Sequence, residues 1–121
     1  MHELPVTESL LALTLEHAAK AGGGRVTALY LVIGPLSGIV GESVRFYWEM
    51  ISRDTPAEGA LLHFRHTELI LECRGCGSTF RPAAEDYTCP SCGSLDTLAV
   101  EGQEFHLEAI DLETDGSPPG T

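Results

Sequence analysis

One repeated motif decides how part of this chain folds, and it occurs at Cys73-Arg74-Gly75-Cys76-Gly77 and again, after twelve residues, at Cys89-Pro90-Ser91-Cys92-Gly93. A CxxC pair places two thiolates on one tight turn. The glycine that follows it allows a positive φ, so that backbone N–H groups point at the sulfurs. Two such turns facing each other supply four sulfur ligands, the set that suits tetrahedral Zn²⁺. The motif therefore predicts a closed, structural zinc site on Cys73, Cys76, Cys89 and Cys92.

Other uses of four cysteines fit the sequence less well. Two disulfides would suit a short secreted chain, but the first ten residues contain no apolar signal segment. A thioredoxin-like redox pair needs one CxxC near a βαβ unit rather than two facing copies. Iron is the serious alternative, because similar turns hold iron in rubredoxin-like electron carriers. The sequence does not separate zinc from iron.

Length and charge limit the classes of function. With 121 residues, 43% of them hydrophobic, the chain can form one compact domain or a domain with a small insert. The net charge of −11 argues against a nucleic-acid partner, because phosphate binding needs a basic face. No stretch reaches the roughly 18 apolar residues of a membrane span. From the cysteine usage and the absence of a signal segment we expect a cytoplasmic protein.

Hydrophobic periodicity predicts two helices and three strands. In chain order they are a helix over Pro5–Ala21, a strand over Arg25–Ile33, a helix over Glu42–Arg53, a long strand over Ala60–Glu72 and a last strand over Glu104–Leu112. This order predicts an α+β fold, with two helices packed on a small mixed β-sheet and an inserted four-cysteine zinc-ribbon lobe. The expected division is an α/β lobe of residues 1–71 and 98–113, a zinc-binding lobe of residues 72–97, and a disordered tail of residues 114–121.

Some side chains can be assigned to the cores of these lobes. The stripe of the first helix that we expect to face the core consists of Val6, Leu10, Leu13 and His17, with His17 at its edge, and is widened by Leu11, Leu15 and Ala18. Trp48 lies on the apolar stripe of the second helix and is expected in the same core. Phe80 and Tyr87 are the expected core of the zinc lobe, which is too small to fold on apolar burial alone and depends on its metal.

The chain starts with Met1-His2-Glu3, a combination that can chelate a metal ion. A large second residue keeps Met1 in place, so its α-amine stays free. That amine, with the amide nitrogen and imidazole of His2, would bind one ion through fused rings, and the amide or carboxylate of Glu3 would complete a square plane. Such donors favour Ni(II) and Cu(II) over Zn²⁺. Because imidazole titrates near pH ~6.5 and the amine near ~8, mild acid should release the ion.

Taken together, these motifs resemble the HypA/HybF nickel-insertion proteins, which are accessory factors in [NiFe]-hydrogenase maturation. The resemblance covers about residues 1–113. Its segments, in the family's order, are Met1-His2-Glu3-Leu4, Ile33-Gly34-Pro35-Leu36-Ser37-Gly38, Ala57-Glu58-Gly59-Ala60 and the two cysteine motifs. One departure is Pro5-Val6-Thr7, where the family commonly has serine and another apolar residue.

The resemblance implies a nickel metallochaperone that is not an enzyme. It implies nickel on Met1 (through its amine), His2 and Glu3, and structural zinc on the four cysteines. It also implies two partners, a HypB-type nickel-handling GTPase and the large subunit of the hydrogenase. The sequence does not indicate the oligomeric state. From the residues alone two other functions stay open: a rubredoxin-like iron electron carrier, and a zinc-ribbon adaptor that acts through protein contacts and binds no nickel.

Overall fold

The computed structural model describes residues 3–83 and 86–113, and this part contains two helices and six strands. They are α1 (Glu3–Lys20), β1 (Arg25–Ile33), α2 (Gly41–Ile51), β2 (Leu61–His66), β3 (Ile70–Cys73), β4 (Thr79–Phe80), β5 (Thr97–Glu101) and β6 (Phe105–Glu113). The first strand has its predicted bounds, and both helices and the last strand shift by one or two residues at each end. The α+β class is confirmed. The predicted disordered tail, residues 114–121, lies outside the described residues.

The first sheet has β1 at its centre, in the order β2-β1-β6. β1 pairs with β2 in parallel and with β6 antiparallel, so the sheet is mixed, as predicted. Most residues of β1 are buried, which explains why apolar side chains occur on both of its faces. In β6 a register shift opposite Tyr30 and Leu31 inserts an extra residue. Leu107 packs on the core on one side of this bulge, and Ile110 and Leu112 do so on the other side. The extra residue therefore reverses which side chains of β6 face the core.

Both helices contribute to one core with this sheet. Its buried members are Leu10, Ala18, Val26, Leu29, Leu31, Val44, Trp48, Ala57, Ala60 and Leu62. Trp48 is buried, as expected, and the predicted stripe of α1 is right in part, since Leu10 and Ala18 are buried and Leu11 and Leu15 pack against the core. The buried stripe consists of Glu3, Thr7, Leu10, Thr14 and Ala18. Leu13 and His17 are exposed instead; leucines occur around much of α1, so their spacing alone did not identify the buried face. Neither described helix is long and apolar enough to cross a membrane.

The long strand predicted over Ala60–Glu72 is wrong, because β2 and β3 are separate strands in different sheets. The chain turns out of the first sheet at Thr67. The N–H of Thr67 donates to the carbonyl of Ile33, and its hydroxyl donates to the Glu104 carboxylate at 2.9 Å. The chain around this turn is polar, over residues 65–68, and apolar residues on both sides of it gave the appearance of one alternating strand.

The second sheet is small and antiparallel, in the order β4-β3-β5. Leu71 is buried at its centre and pairs with Phe80, which is half-buried. Tyr87, predicted in the core of this lobe, is instead exposed. The sheet runs from Ile70 to Glu101, so its pairing extends beyond residues 72–97 at both ends. The division of the chain into lobes stays a prediction.

The two sheets meet at a junction formed by Gly34, Leu36, Thr67, Gly102 and Glu104. The Glu104 carboxylate accepts hydrogen bonds from the Thr67 hydroxyl and, at 3.0 Å, from the Gly102 N–H. The Gly102 carbonyl accepts the Leu36 N–H at 2.7 Å. A Cβ atom on Gly34 would lie 2.3 Å from the Gly102 oxygen, so only glycine fits there. The chain therefore crosses between the sheets twice at one tightly packed place.

Candidate metal centre

The four cysteine sulfurs converge on one point, and all of them lie within 4.8 Å of one another. The Sγ atoms of Cys73 and Cys92 are 3.5 Å apart, and those of Cys76 and Cys89 are 3.7 Å apart. A tetrahedral ion with metal–sulfur bonds of about 2.3 Å has sulfur–sulfur edges of about 3.8 Å. The sulfurs thus fit a four-coordinate ion, and all four cysteines are free thiols rather than disulfides.

The two CxxCG segments form the same turn. In each one, the N–H of the first cysteine donates to the carbonyl of the serine after the glycine, and the glycine N–H donates back to the first cysteine. In the first turn both N···O distances are 2.8 Å, from Cys73 to Ser78 and from Gly77 to Cys73. In the second turn they are 2.9 Å from Cys89 to Ser94 and 2.8 Å from Gly93 to Cys89. Both glycines have positive φ, 82° at Gly77 and 79° at Gly93, as the motif predicted. The first cysteine of each turn is buried and the second exposed.

The serine after each turn makes the two turns chemically different. The Ser78 hydroxyl lies 3.0 Å from the sulfur of Cys76 and 3.6 Å from that of Cys89. Its hydrogen bond is the largest cause that lowers the pKa of both thiols, that of Cys89 to about 6. The Ser94 hydroxyl instead accepts the backbone N–H of Asp96. Sequence reasoning missed Ser78, although a serine follows both CxxCG copies.

The thiol of Cys92, the other exposed cysteine, shows why the cluster needs a cation. The N–H of Ser94 lowers the pKa of Cys92, but the hydrogen bond with Cys73, burial and the two other sulfurs together raise it to about 12. Four thiolates in this volume repel one another, so they do not all ionise without a counter-charge. A divalent cation supplies that charge and displaces the protons. The donor chemistry therefore fits a thiolate-bound metal ion.

The structure reaches only one of the residues predicted to bind nickel. Met1 and His2 lie outside the described residues. Glu3 is the first residue of α1 and is only 8% exposed. Its carboxylate accepts a hydrogen bond from the Val40 N–H at 3.1 Å, immediately before α2. The predicted nickel set as a whole is not tested by this geometry.

The described histidines form no second metal site. Within residues 3–83 and 86–113, the four cysteines are the one group of three or more His, Cys, Asp or Glu side chains close enough to share an ion. His63 stacks on Tyr30, with ring centroids 4.9 Å apart, and His17 is exposed on α1.

Comparison with known proteins places these features in one family. Residues 1–112 match a family model described as hydrogenase/urease nickel incorporation, metallochaperone, HypA. The chain is 40% identical over 114 residues to hydrogenase maturation factor HypA of Caldanaerobacter subterraneus, which covers 93% of this chain and 100% of that protein. It is 38% identical over 116 residues to the HypA protein of Roseiflexus sp., with 95% and 94% covered.

Solved structures agree with this match. The solution structure of the Ni metallochaperone HypA from Helicobacter pylori has a TM-score of 0.70 and 28% identity, and the match covers 95% of this chain and 100% of that one. A second solution structure of a HypA protein gives a TM-score of 0.75, also at 28% identity, and covers 95% and 98%. The family resemblance drawn from the sequence motifs is confirmed, and the chain belongs to the HypA family of nickel-incorporation metallochaperones for hydrogenase maturation.

Proposed function

We propose that this protein binds Ni(II) at its amino terminus through Met1, His2 and Glu3 and delivers the ion for [NiFe]-hydrogenase maturation. The proposal is carried by the match of residues 1–112 to a nickel-incorporation family, a match that includes the chelating start of the chain. The donor chemistry supports it. An amine, amide nitrogens and an imidazole favour the tetragonal coordination that Ni(II) adopts and Zn²⁺ does not require.

The four cysteines hold a structural Zn²⁺ ion in this proposal. Four thiolates complete the coordination of a structural zinc ion, and two of them are buried, Cys73 at the end of β3 and Cys89 in the second cysteine turn. Zinc bound in this way stabilises the fold and is not exchanged during nickel delivery. Nickel is the transient cargo, and zinc is the resident ion.

Delivery follows from the placement of the nickel donors at the start of the chain. A competing ligand can approach such a site, so nickel leaves by stepwise exchange, in which the donors of the next protein replace those of Met1, His2 and Glu3. The partners in this exchange are a HypB-type GTPase and the hydrogenase large subunit. The reducing cytoplasm is the compartment that keeps four ligand cysteines as thiolates.

A nickel titration of the tag-free protein tests this proposal. We expect one Ni(II) site in the native chain. It should be lost in His2→Ala and in a variant with one extra residue ahead of Met1, because each change removes donors from the chelate. Zinc content should stay at one ion per chain in both variants. His17→Ala is the matched control, since this histidine is exposed on α1. Unchanged nickel binding by the extended chain would show that the amine is not a ligand and would refute the proposed site.

A further inference from the structure

The start of α2 lacks the usual cap. Its N-cap residue is Val40, in an extended conformation with φ −99° and ψ 114°, and no side chain of α2 caps this end. In a capping box, a glutamate at the third helical position accepts the N–H of the N-cap residue. That third position is Ser43 in α2, and the Val40 N–H instead donates to the carboxylate of Glu3, 37 residues earlier in the chain. Glu3 thus supplies from α1 what a capping glutamate would supply from within α2.

Glu3 is fixed at both its side chain and its main chain. A carboxylate is rarely as buried as that of Glu3 unless it is paired, and here the positive end of the α2 dipole faces it. The carbonyl of Glu3 accepts the hydroxyl of Thr7, which is fully buried. The loop ahead of α2 is held as well, because Ser37 Oγ accepts the Ile39 N–H at 3.2 Å. The chain therefore enters α1 at a defined point beside α2.

We propose that the Glu3 carboxylate is a positioning group for the nickel site and not a nickel ligand. It holds the start of α1 against the start of α2, and so fixes the main chain of Glu3, the residue that follows the Met1 and His2 donors in the sequence. A carboxylate that left this place to bind nickel would leave the Val40 N–H without its acceptor, and Glu42 would be the acidic side chain that remains at the positive end of the α2 dipole. A contribution of Glu3 to nickel would then come from its main chain. This inference rests on the proposed function, nickel binding at the amino terminus.

Two substitutions in the tag-free, zinc-loaded protein distinguish a Glu3 carboxylate that positions the nickel site from one that binds nickel. Glu3→Gln keeps a side-chain oxygen that can accept the Val40 N–H, so nickel affinity and the visible d–d bands should stay close to those of the native chain. Glu3→Ala removes the acceptor, and we expect nickel affinity to fall about tenfold, because nickel binding must then order the start of α1, which the hydrogen bond to Val40 otherwise holds in place. The band positions should not change, because the ligands are the same. Glu8→Ala, an exposed glutamate on the same helix, is the matched control.

Amide exchange at Val40 gives a readout that needs no nickel. In the nickel-free protein, this N–H should be protected in the native chain and in Glu3→Gln, and should exchange faster in Glu3→Ala. Equal exchange rates in all three chains would show that the Glu3 carboxylate does not hold the Val40 N–H, and would refute the inference.

The remaining outcomes are equally decisive. If Glu3→Gln loses nickel as completely as Glu3→Ala and shifts the bands, the carboxylate is a ligand and this inference is wrong, while nickel binding at the amino terminus stands. If Glu3→Ala is only less stable to heat and binds nickel as tightly as the native chain, the role is structural and the inference is also wrong. A failure of the proposed function would be seen separately, as unchanged nickel binding after extension ahead of Met1.

Discussion

The two sheets of this protein are stabilised by different means. The first sheet and its helices enclose a core in which Leu29, Leu31 and Trp48 are almost completely buried. The second sheet, by contrast, leaves Leu98 41% and Val100 51% exposed. A lobe of this size cannot bury enough apolar surface to fold alone, whereas four thiolates around one ion can order it. Apolar packing therefore holds one half of the molecule, and a metal ion holds the other.

Removal of one of the proposed zinc ligands should have the largest effect on this contrast between the two sheets. In Cys73→Ser we expect the second sheet to lose its order and the first sheet to keep it, because the metal contributes on the order of 10 kcal/mol to the lobe that binds it. Hydrogen exchange would then be fast for amides of β3 and β5 and remain slow for those of β1, and zinc content would fall. Ser91→Ala, within the second cysteine motif, is the control and should retain zinc. Global unfolding in circular dichroism would show that the sheets do not fold independently.

A core substitution should have the opposite distribution of effects. Leu29 is fully buried in β1, where it pairs with Leu62 and Ile110. Leu29→Ala should lower the free energy of unfolding of the first lobe by about 2–5 kcal/mol, the range for a large-to-small change in a core, without loss of zinc. Denaturant titration and zinc analysis measure the two quantities.

The control for this change is Leu61→Ala on β2, because Leu61 is 63% exposed. Its stability should stay within about 0.5 kcal/mol of the native value. Should Leu29→Ala release zinc as Cys73→Ser does, the two lobes form one cooperative unit and the contrast between them is wrong.

The features that the sequence predicted well are those with strong local causes. β1 was found with its observed bounds because a β-rich apolar run ends at Gly34-Pro35, where no strand continues. The cysteine cluster was found because ligand spacing and the glycines at positions 77 and 93 specify the turn regardless of the rest of the fold. In both cases the information lies within a few consecutive residues.

The features that the sequence did not predict depend on contacts between distant residues. The break between β2 and β3 is made by Thr67 bonding to Glu104, which follows 37 residues later. The buried stripe of α1 includes polar Thr7 and Thr14, so hydrophobicity alone placed the stripe too far toward Leu13 and His17. The pairing of Glu3 with Val40 likewise joins two helices and leaves no local pattern. The nickel ligand set remains a prediction, since Met1 and His2 lie outside the described residues.

The junction between the sheets offers the smallest and most specific test of how they are joined. The carboxylate of Glu104 has a pKa below its ordinary value of 4.5. Its own N–H is the largest cause, burial opposes it, and the Thr67 hydroxyl, the Gly102 N–H and the charge of His106 lower the pKa further. A lowered pKa in the folded state means that the ionised carboxylate favours folding above about pH 4.5. This stabilisation is lost as the pH falls through the lower, folded-state pKa.

Glu104→Gln should therefore destabilise the protein at about pH 6, and the difference from the native chain should shrink as the pH falls to about 3. The measurement is the urea midpoint of both chains at several pH values, followed by a signal from the first sheet. Acid release of zinc affects both chains alike, so it cancels in the difference. Glu49→Gln, which neutralises an exposed carboxylate on α2, should show no such convergence. A difference that stays constant with pH would mean that the junction depends on the shape of the Glu104 side chain rather than on its charge. The two sheets would then be joined by backbone hydrogen bonds such as that from Leu36 to Gly102, and by tight packing such as that of Gly34 against Gly102.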